Sequence, residues 1–291
     1  MSDLSLYVAT VLIWGSTWFA IKFQLGTVPP AVSVMWRFLA AAGILLGYSL
    51  LRRLPLRFGL RTHLWMALQG VLLFCLNYVG FYLAELYLAS GLVALVCSLM
   101  LVGNIAGMRL FFGVHTRAAN LVGAVIGVAG VTLLFWPELR AYSSANGNAL
   151  GLGYALAATL CASLGNMVAT RNQRQGLPIV QVNGWSMLYG AVLMGAGAAV
   201  SGQHFSFDSS WPYVASLAYL ALFGSVLAFG AYLTLMGRIG ANRAGYSMIA
   251  TPVLALLIST WLEDLHWTRL MWTGVSLCLL GNVLILRRKS A

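Results

Sequence analysis

The chain has 291 residues, of which 60% are hydrophobic and only 8% charged, about a third of the ~25% charge share of a soluble domain. This balance excludes an ordinary water-soluble enzyme, and so much apolar surface excludes a disordered chain. The formal net charge is +11, which suggests nucleic-acid binding only until the cations are placed along the chain.

Apolar windows bounded by charges, prolines and polar clusters predict ten membrane-spanning helices, near residues 4–23, 31–51, 63–84, 89–112, 117–136, 149–170, 179–201, 211–236, 243–262 and 268–287. A crossing takes ~20 residues, so ten of them use the whole length and leave nothing for an attached soluble module. The windows are continuous rather than alternating residue by residue, which argues for an all-α protein and against a barrel. No cationic leader precedes Leu4 and no small-residue cleavage pattern follows the first window, so that helix is expected to be retained.

Polar groups inside a membrane are costly and usually face a cavity or the bundle interior. In the first span Trp14, Trp18 and Lys22 stand four residues apart and so stack on one face. The two tryptophans lie too deep for both to be headgroup anchors, and Trp18 is expected to line a cavity. The second span follows Pro29 and carries Arg37. The third carries Asn77, Tyr78 and Tyr82 and runs into Glu85; an aromatic face with an amide and a carboxylate fits an aqueous cavity better than core packing with satisfied hydroxyls. Ser98 and Asn104 follow in the fourth span, Asn166 in the sixth, Trp185 and Tyr189 in the seventh, Tyr232 in the eighth, and Tyr246, Thr251 and Pro252 in the ninth. Asn104 and Asn282 read equally well as interhelical glue. Pro252 is expected to break its helix. Glu85 reads as a gate partner of Lys22 or Arg37, since all three fall toward one side, or as a proton-coupling site. The runs Gly103-x-x-x-Gly107 and Gly123-x-x-x-Gly127 read as close helix packing, with a dimer face as the alternative.

Alternate connections collect thirteen of the seventeen Lys and Arg, and one of the six acids, on one side. That side is cytoplasmic by the positive-inside rule, which puts both termini there. Cations dealt out along every loop of one face are a topological signal, not the gathered solvated patch that nucleic-acid binding needs.

The halves also repeat, at an offset of about 150 residues: Pro29 and Trp36 recur as Pro178 and Trp185, Tyr82 as Tyr232, Gly123 and Gly130 as Gly274 and Gly281. Asn166 falls at the repeat position of Trp18, so the halves are expected to present unlike groups to one ligand. Two five-span repeats, 1–142 and 143–291, follow. A unit with an odd number of crossings begins its copy from the opposite side, so the repeats must be inverted. Secondary transporters build a midplane site between such repeats; a duplicated scaffold without transport is the competing reading.

The stretch Leu12-Ile13-Trp14-Gly15-Ser16-Thr17-Trp18-Phe19-Ala20, with Pro29, Arg37, Ala250-Thr251-Pro252-Val253-Leu254-Ala255-Leu256-Leu257 and Trp261-Leu262-Glu263, resembles the EamA family of the drug/metabolite transporter superfamily. The resemblance covers both halves. It implies an alternating-access transporter of small metabolites, amino-acid export being common among bacterial members, and it places the first helix beside the central pathway. The first half departs from the pattern, with Val102 near the place of Pro252 and Gly113-Val114-His115 at the place of Glu263.

Other chemistry finds no support in the sequence. The lysines are Lys22 and Lys289, neither in a phosphate-cradling glycine motif. His63, His115, His204 and His266 are far apart, Asp3, Asp208 and Asp264 lie outside the spans, and no Gly-x-Ser-x-Gly occurs. Cys75, Cys97, Cys161 and Cys278 sit in apolar segments as small hydrophobes do. No catalysis, metal, cofactor or nucleic-acid partner is expected. The expected function is export of a small metabolite across a bacterial inner membrane, neutral or aromatic amino acids first, because the cavity candidates offer rings and few charges. Drug-like cations, which rings also suit, come second and a non-transporting scaffold third. The expected partners are a small-molecule substrate and lipid, with a monomer sufficient and a dimer possible.

Overall fold

The computed structural model describes residues 2–115, 118–134, 136, 147–239 and 247–286, and among these there is no strand. Tyr246 lies outside the described residues. The helices, labelled in chain order, are α1 (Asp3–Lys22), α2 (Pro30–Leu51), α3 (Leu60–Gln69, Gly70–Leu76 and Asn77–Ala84 in one rod), α4 (Ser90–Cys97 and Met100–Phe112), α5 (Ala118–Leu134), α6 (Asn148–Arg174), α7 (Ile179–Val200), α8 (Trp211–Tyr219, Leu220–Leu227 and Ala228–Ile239 in one rod), α9 (Ser247–Leu262) and α10 (Arg269–Leu286). Six stretches among the described residues are long and apolar enough to cross a membrane: Asp3–Lys22, Pro30–Leu51, Leu60–Ala84, Ser90–Phe112, Asn148–Arg174 and Trp211–Tyr232.

Local chemistry sets the ends of these rods. Ser2 caps α1 by accepting the Ser5 N–H at 3.2 Å, and Lys22 in its last turn meets the negative end of the helix dipole. Pro30 opens α2 where its missing N–H costs nothing. Gly113, at φ 66°, ends α4 in the left-handed conformation that favours glycine.

The middles of α3 and α8 are wound more loosely than an α-helix. Gly70–Leu76 and Leu220–Leu227 are both π-helical and lie at the same offset as the sequence repeat. Such insertions are rare and are concentrated at functional sites.

In lipid there is little hydrophobic drive between helices, so close packing of small residues takes its place. The tightest seam joins α5 to α10, where a Cβ at Gly130 would come within 2.5 Å of the Cys278 amide nitrogen and 2.6 Å of the Gly274 carbonyl. Gly123 and Gly127 meet Gly281 in the same seam, while Gly103 and Gly107 face Ser163 and Met167 of α6. Both glycine runs are thus used within the chain. Around this, α2 packs on α7, α1 on α8 and α9, and α6 on α3 and α4. Exchanging the first five helices for the last five maps these pairings onto one another. Large apolar side chains point outward, Leu4, Val8 and Leu12 along α1 and Leu121, Val122, Val125 and Val128 on α5, as a lipid-facing surface requires.

One expectation is reversed. The α9 helix runs unbroken through Pro252, whereas α4, with no proline in the corresponding turn, is interrupted at Ser98–Leu99. A proline removes one hydrogen bond and the flanking turns hold the rest. In α4 the Ser98 hydroxyl donates to the Leu95 carbonyl at 2.6 Å, offering the backbone an alternative to the helix ladder.

Candidate functional site

A cavity with an open mouth lies among α1, α2, α3, α4, α6, α8 and α9, between the helices of a bundle, where small-molecule sites commonly form. It brings together Trp18, Asn77, Tyr78, Ser98, Asn166, Tyr232 and Arg37, with Thr251 and Pro252 of α9. Trp14, on the face that the sequence assigned to it with Trp18, also lines it, as do Cys97, read from the sequence only as a small hydrophobe, and Thr17, Phe81 and Phe229, which were not singled out; Thr17 sits one residue from Trp18, which was signal enough to find it. The aromatic wall is built edge to face. Trp18 meets Phe81 at 5.1 Å between centroids and 77°, and Trp14 meets Phe229 at 5.2 Å and 77°, both within the range such pairs favour.

The π-helical stretch of α8 shapes this wall. The Gly224 carbonyl accepts the Trp14 indole N–H at 3.2 Å. The Ser225 hydroxyl donates back to the Leu220 carbonyl at 3.0 Å and accepts the Arg37 Nε–H at 3.1 Å. Gly224 leaves room for the guanidinium, since a Cβ there would stand 3.0 Å from Arg37 Nη2 and 2.8 Å from Thr17 Cγ2.

Arg37 itself is 1% exposed, and its guanidinium lies 4.6 Å from the Tyr78 ring centroid and 5.4 Å from that of Phe38. Nη1 is buried with no hydrogen-bond partner, and no acid pairs with Arg37, among the described residues. An arginine at membrane depth costs about 2.5–3.5 kcal/mol on insertion scales. The sequence put Arg37 near one mouth as a gate partner; the structure puts it in the cavity wall.

Beyond the cavity one end is closed. Lys22 Nζ donates to the Glu85 and Leu88 carbonyls at 2.8 and 3.0 Å and pairs with Glu263 at 3.6 Å. Glu263 in turn accepts from the Ser90 N–H at 3.0 Å, the Ser90 hydroxyl at 2.7 Å and the Ser259 hydroxyl, tying α1, α4 and α9 together. The expected Lys22–Glu85 side-chain pair is therefore corrected: Glu85 offers its backbone carbonyl, and its carboxylate is 2% exposed and without a partner among the described residues. Glu263, which entered the sequence analysis only through the family resemblance, takes the cation because it projects from the end of α9 across the end of α1.

At the other end a smaller pocket shares Leu73, Asn166, Phe229 and Tyr232 with the cavity and continues to Gln69, Asn172 and Asn183. These amides are bonded in series, Asn172 Nδ2 to Gln69 Oε1 at 2.9 Å and Gln69 Nε2 to Asn183 Oδ1 at 3.1 Å. The rule that found Asn77 applies equally to them; Asn172 and Asn183 lie near helix ends, where polar residues are ordinary, but Gln69, inside α3, carried the same signal as Asn77.

Three sequence candidates stand elsewhere. Tyr82 is fully buried but does not line the cavity. Trp185 and Tyr189 stack on each other at 5.8 Å against His63, with the Tyr189 hydroxyl 2.8 Å from His63 Nδ1 and the Trp185 indole donating to the Leu56 carbonyl at 3.2 Å. Their face of α7 turns to the start of α3 because the other face, at Gly190, packs on Gly70 and Phe74. Asn166 lines the cavity and donates to Asn104 at 3.4 Å; Asn282 is buried with no partner among the described residues. Among the described residues no cluster of His, Cys, Asp or Glu is placed to hold a metal ion.

An apolar helical bundle around a small-molecule cavity defines a class, the membrane transporters, and comparison with known proteins names the family. The EamA-like transporter family matches twice, over residues 2–136 and 149–287, and the chain belongs to it. Its relatives include the Uncharacterized inner membrane transporter YedA of Escherichia coli (strain K12), 30% identical over 281 residues that span 95% of this chain and 88% of that protein. The Probable amino-acid metabolite efflux pump of the same organism is 26% identical, over 99% and 97% of the two chains. A solved structure described as "Crystal structure of protein" superposes with a TM-score of 0.69 at 17% identity, covering 97% of this chain and 96% of that one, a likeness of fold.

Proposed function

We propose that this protein is a secondary transporter that exports small metabolites, neutral or aromatic amino acids foremost, across a bacterial inner membrane by alternating access. The observation that carries this reading is the cavity: walled by rings, closed at one end by the Lys22–Glu263 network, and continuing at the other into an amide-lined vestibule. Ten crossings, arranged as inverted repeats 1–142 and 143–291 with both termini in the cytoplasm, are the architecture we infer. The exchange symmetry of the helix pairings, the paired π-helical stretches and the double family match support it. The relative named as an amino-acid metabolite efflux pump supports the substrate class.

Transport is tested in proteoliposomes with a panel of labelled neutral, aromatic and cationic compounds, with and without a pH gradient. Saturable amino-acid flux is expected, falling about tenfold or more in Trp18→Ala if that ring supplies ~1.5 kcal/mol or more of binding. Absence of flux for the whole panel, from protein shown to be folded and inserted, overturns the reading in favour of a scaffold.

A further inference from the structure

Among the described residues the cavity wall contains one buried charge, Arg37, and that charge has no ion-pair partner. We propose that Arg37 is the receptor for a carboxylate, so that the cargo is a small monocarboxylate with an apolar or aromatic body. This rests on the transport reading and names the chemistry of its substrate.

A guanidinium presents its donors in a planar fork that matches both oxygens of a carboxylate. In Arg37 one edge is engaged, Nε on the Ser225 hydroxyl at 3.1 Å, while Nη1 is buried without an acceptor among the described residues. Among the described residues no acid forms an ion pair with Arg37. Glu263 is paired with Lys22 at the closed end, and Glu85, near enough to attract Arg37, neither reaches it as an ion pair nor lines the cavity. Among the described residues no acidic side chain lines the cavity. The missing negative charge is therefore supplied by what enters.

The rest of the wall limits what that molecule is. Trp18, Tyr78 and Phe81 offer ring faces and edges to an apolar body. Asn77 Oδ1 and Thr251 Oγ1, both buried and unbonded among the described residues, accept an N–H or O–H elsewhere on the cargo, such as the ammonium of an amino acid. A dianion would bring a second charge with no partner, and a cation would meet the guanidinium unscreened. A single carboxylate balances the site.

The test uses matched pairs differing only at the acid: phenylalanine with phenylalaninamide, and 3-phenylpropionate with 3-phenylpropionamide. Binding to purified full-length protein is read by tryptophan fluorescence, and flux is read in proteoliposomes. The carboxylates are expected to bind about tenfold or more tightly than their amides, the scale of one charge-assisted hydrogen bond. Arg37→Gln should erase that ratio by weakening the acids far more than the amides, Arg37→Lys should keep part of it, and Ser225→Ala, which frees the guanidinium to wander, should shrink it severalfold. Equal binding of acid and amide by wild type, no carboxylate binding, or a loss in Arg37→Gln that strikes acid and amide alike, overturns the proposal. If Arg37→Gln does not fold, the ratio in Arg37→Lys and Ser225→Ala decides. Flux of neutral or cationic compounds without carboxylate preference defeats the proposal and leaves transport standing; carboxylate-selective binding without flux does the reverse.

Discussion

Lys22 is held from two sides, by the carbonyls of Glu85 and Leu88 and by the Glu263 carboxylate. Its side chain is 30% exposed and that of Glu263 11%, so the pair is only partly screened by solvent and each bond to a charge contributes about 1.5–3 kcal/mol to the closed end. Lys22→Met should therefore shift the balance toward opening by about tenfold or more. A cysteine introduced at Ile21, which lines the cavity, in a background without the native cysteines, should then react correspondingly faster with an impermeant maleimide added from the Lys22 side. Unchanged reactivity would mean that the network does not close this end. Which residues meet here was only half legible in the sequence. Helical spacing placed Lys22 below Trp18 on α1, but its partner depended on how α9 ends relative to α1 and α3, a distance of some 240 residues along the chain that no local pattern encodes.

At the scale of the element, the π-helical stretch of α8 turns a transmembrane rod into part of the site. Loosening the helix between Leu220 and Leu227 brings Gly224 and Ser225 against α1 and α2. Gly224→Ala would force a methyl group against Thr17 Cγ2 and Arg37 Nη2. That overpacking costs about 1–3 kcal/mol, more than the ~1 kcal/mol an alanine gains over glycine in a helix. Gly230→Ala, one to two turns on, meets nothing within 4 Å and should keep the gain. Thermal unfolding in detergent should thus fall for the first variant and hold or rise for the second; the same shift in both would remove the steric argument. The apolar windows foretold a helix here, and nothing in their periodicity foretold the change of winding, because a π-helix keeps the same buried and exposed residue types.

The molecule as a whole depends on backbones that approach to contact. In the α5–α10 seam Gly130 and Gly274 face one another, a Cβ on either meeting the carbonyl oxygen of the other. The atoms that a Cβ at Gly130 would strike are an amide nitrogen and a carbonyl oxygen, which cannot rotate away as a side chain does. Gly130→Val should therefore abolish the folded monodisperse species on size-exclusion chromatography, while Gly43→Val, at a site with nothing within 4 Å, should leave it intact. A folded Gly130→Val protein would show that the fold does not depend on this seam.

Taken alone, the sequence determined what the solvent demands: an all-helical membrane protein, the apolar windows, the repeat and the charge asymmetry, since each is a property of residue type summed along a short stretch. It also marked Trp18, Asn77, Tyr78, Ser98, Asn166 and Tyr232 by the cost of placing such groups in lipid. The tertiary structure decided which of the marked residues share a space. It took Trp185, Tyr189 and Tyr82 away from the cavity, moved Arg37 into its wall and gave Lys22 to Glu263. Helix rotation and the ends of distant helices settle those matters, and both are fixed by close packing between segments far apart in the chain rather than by the pattern within any one of them.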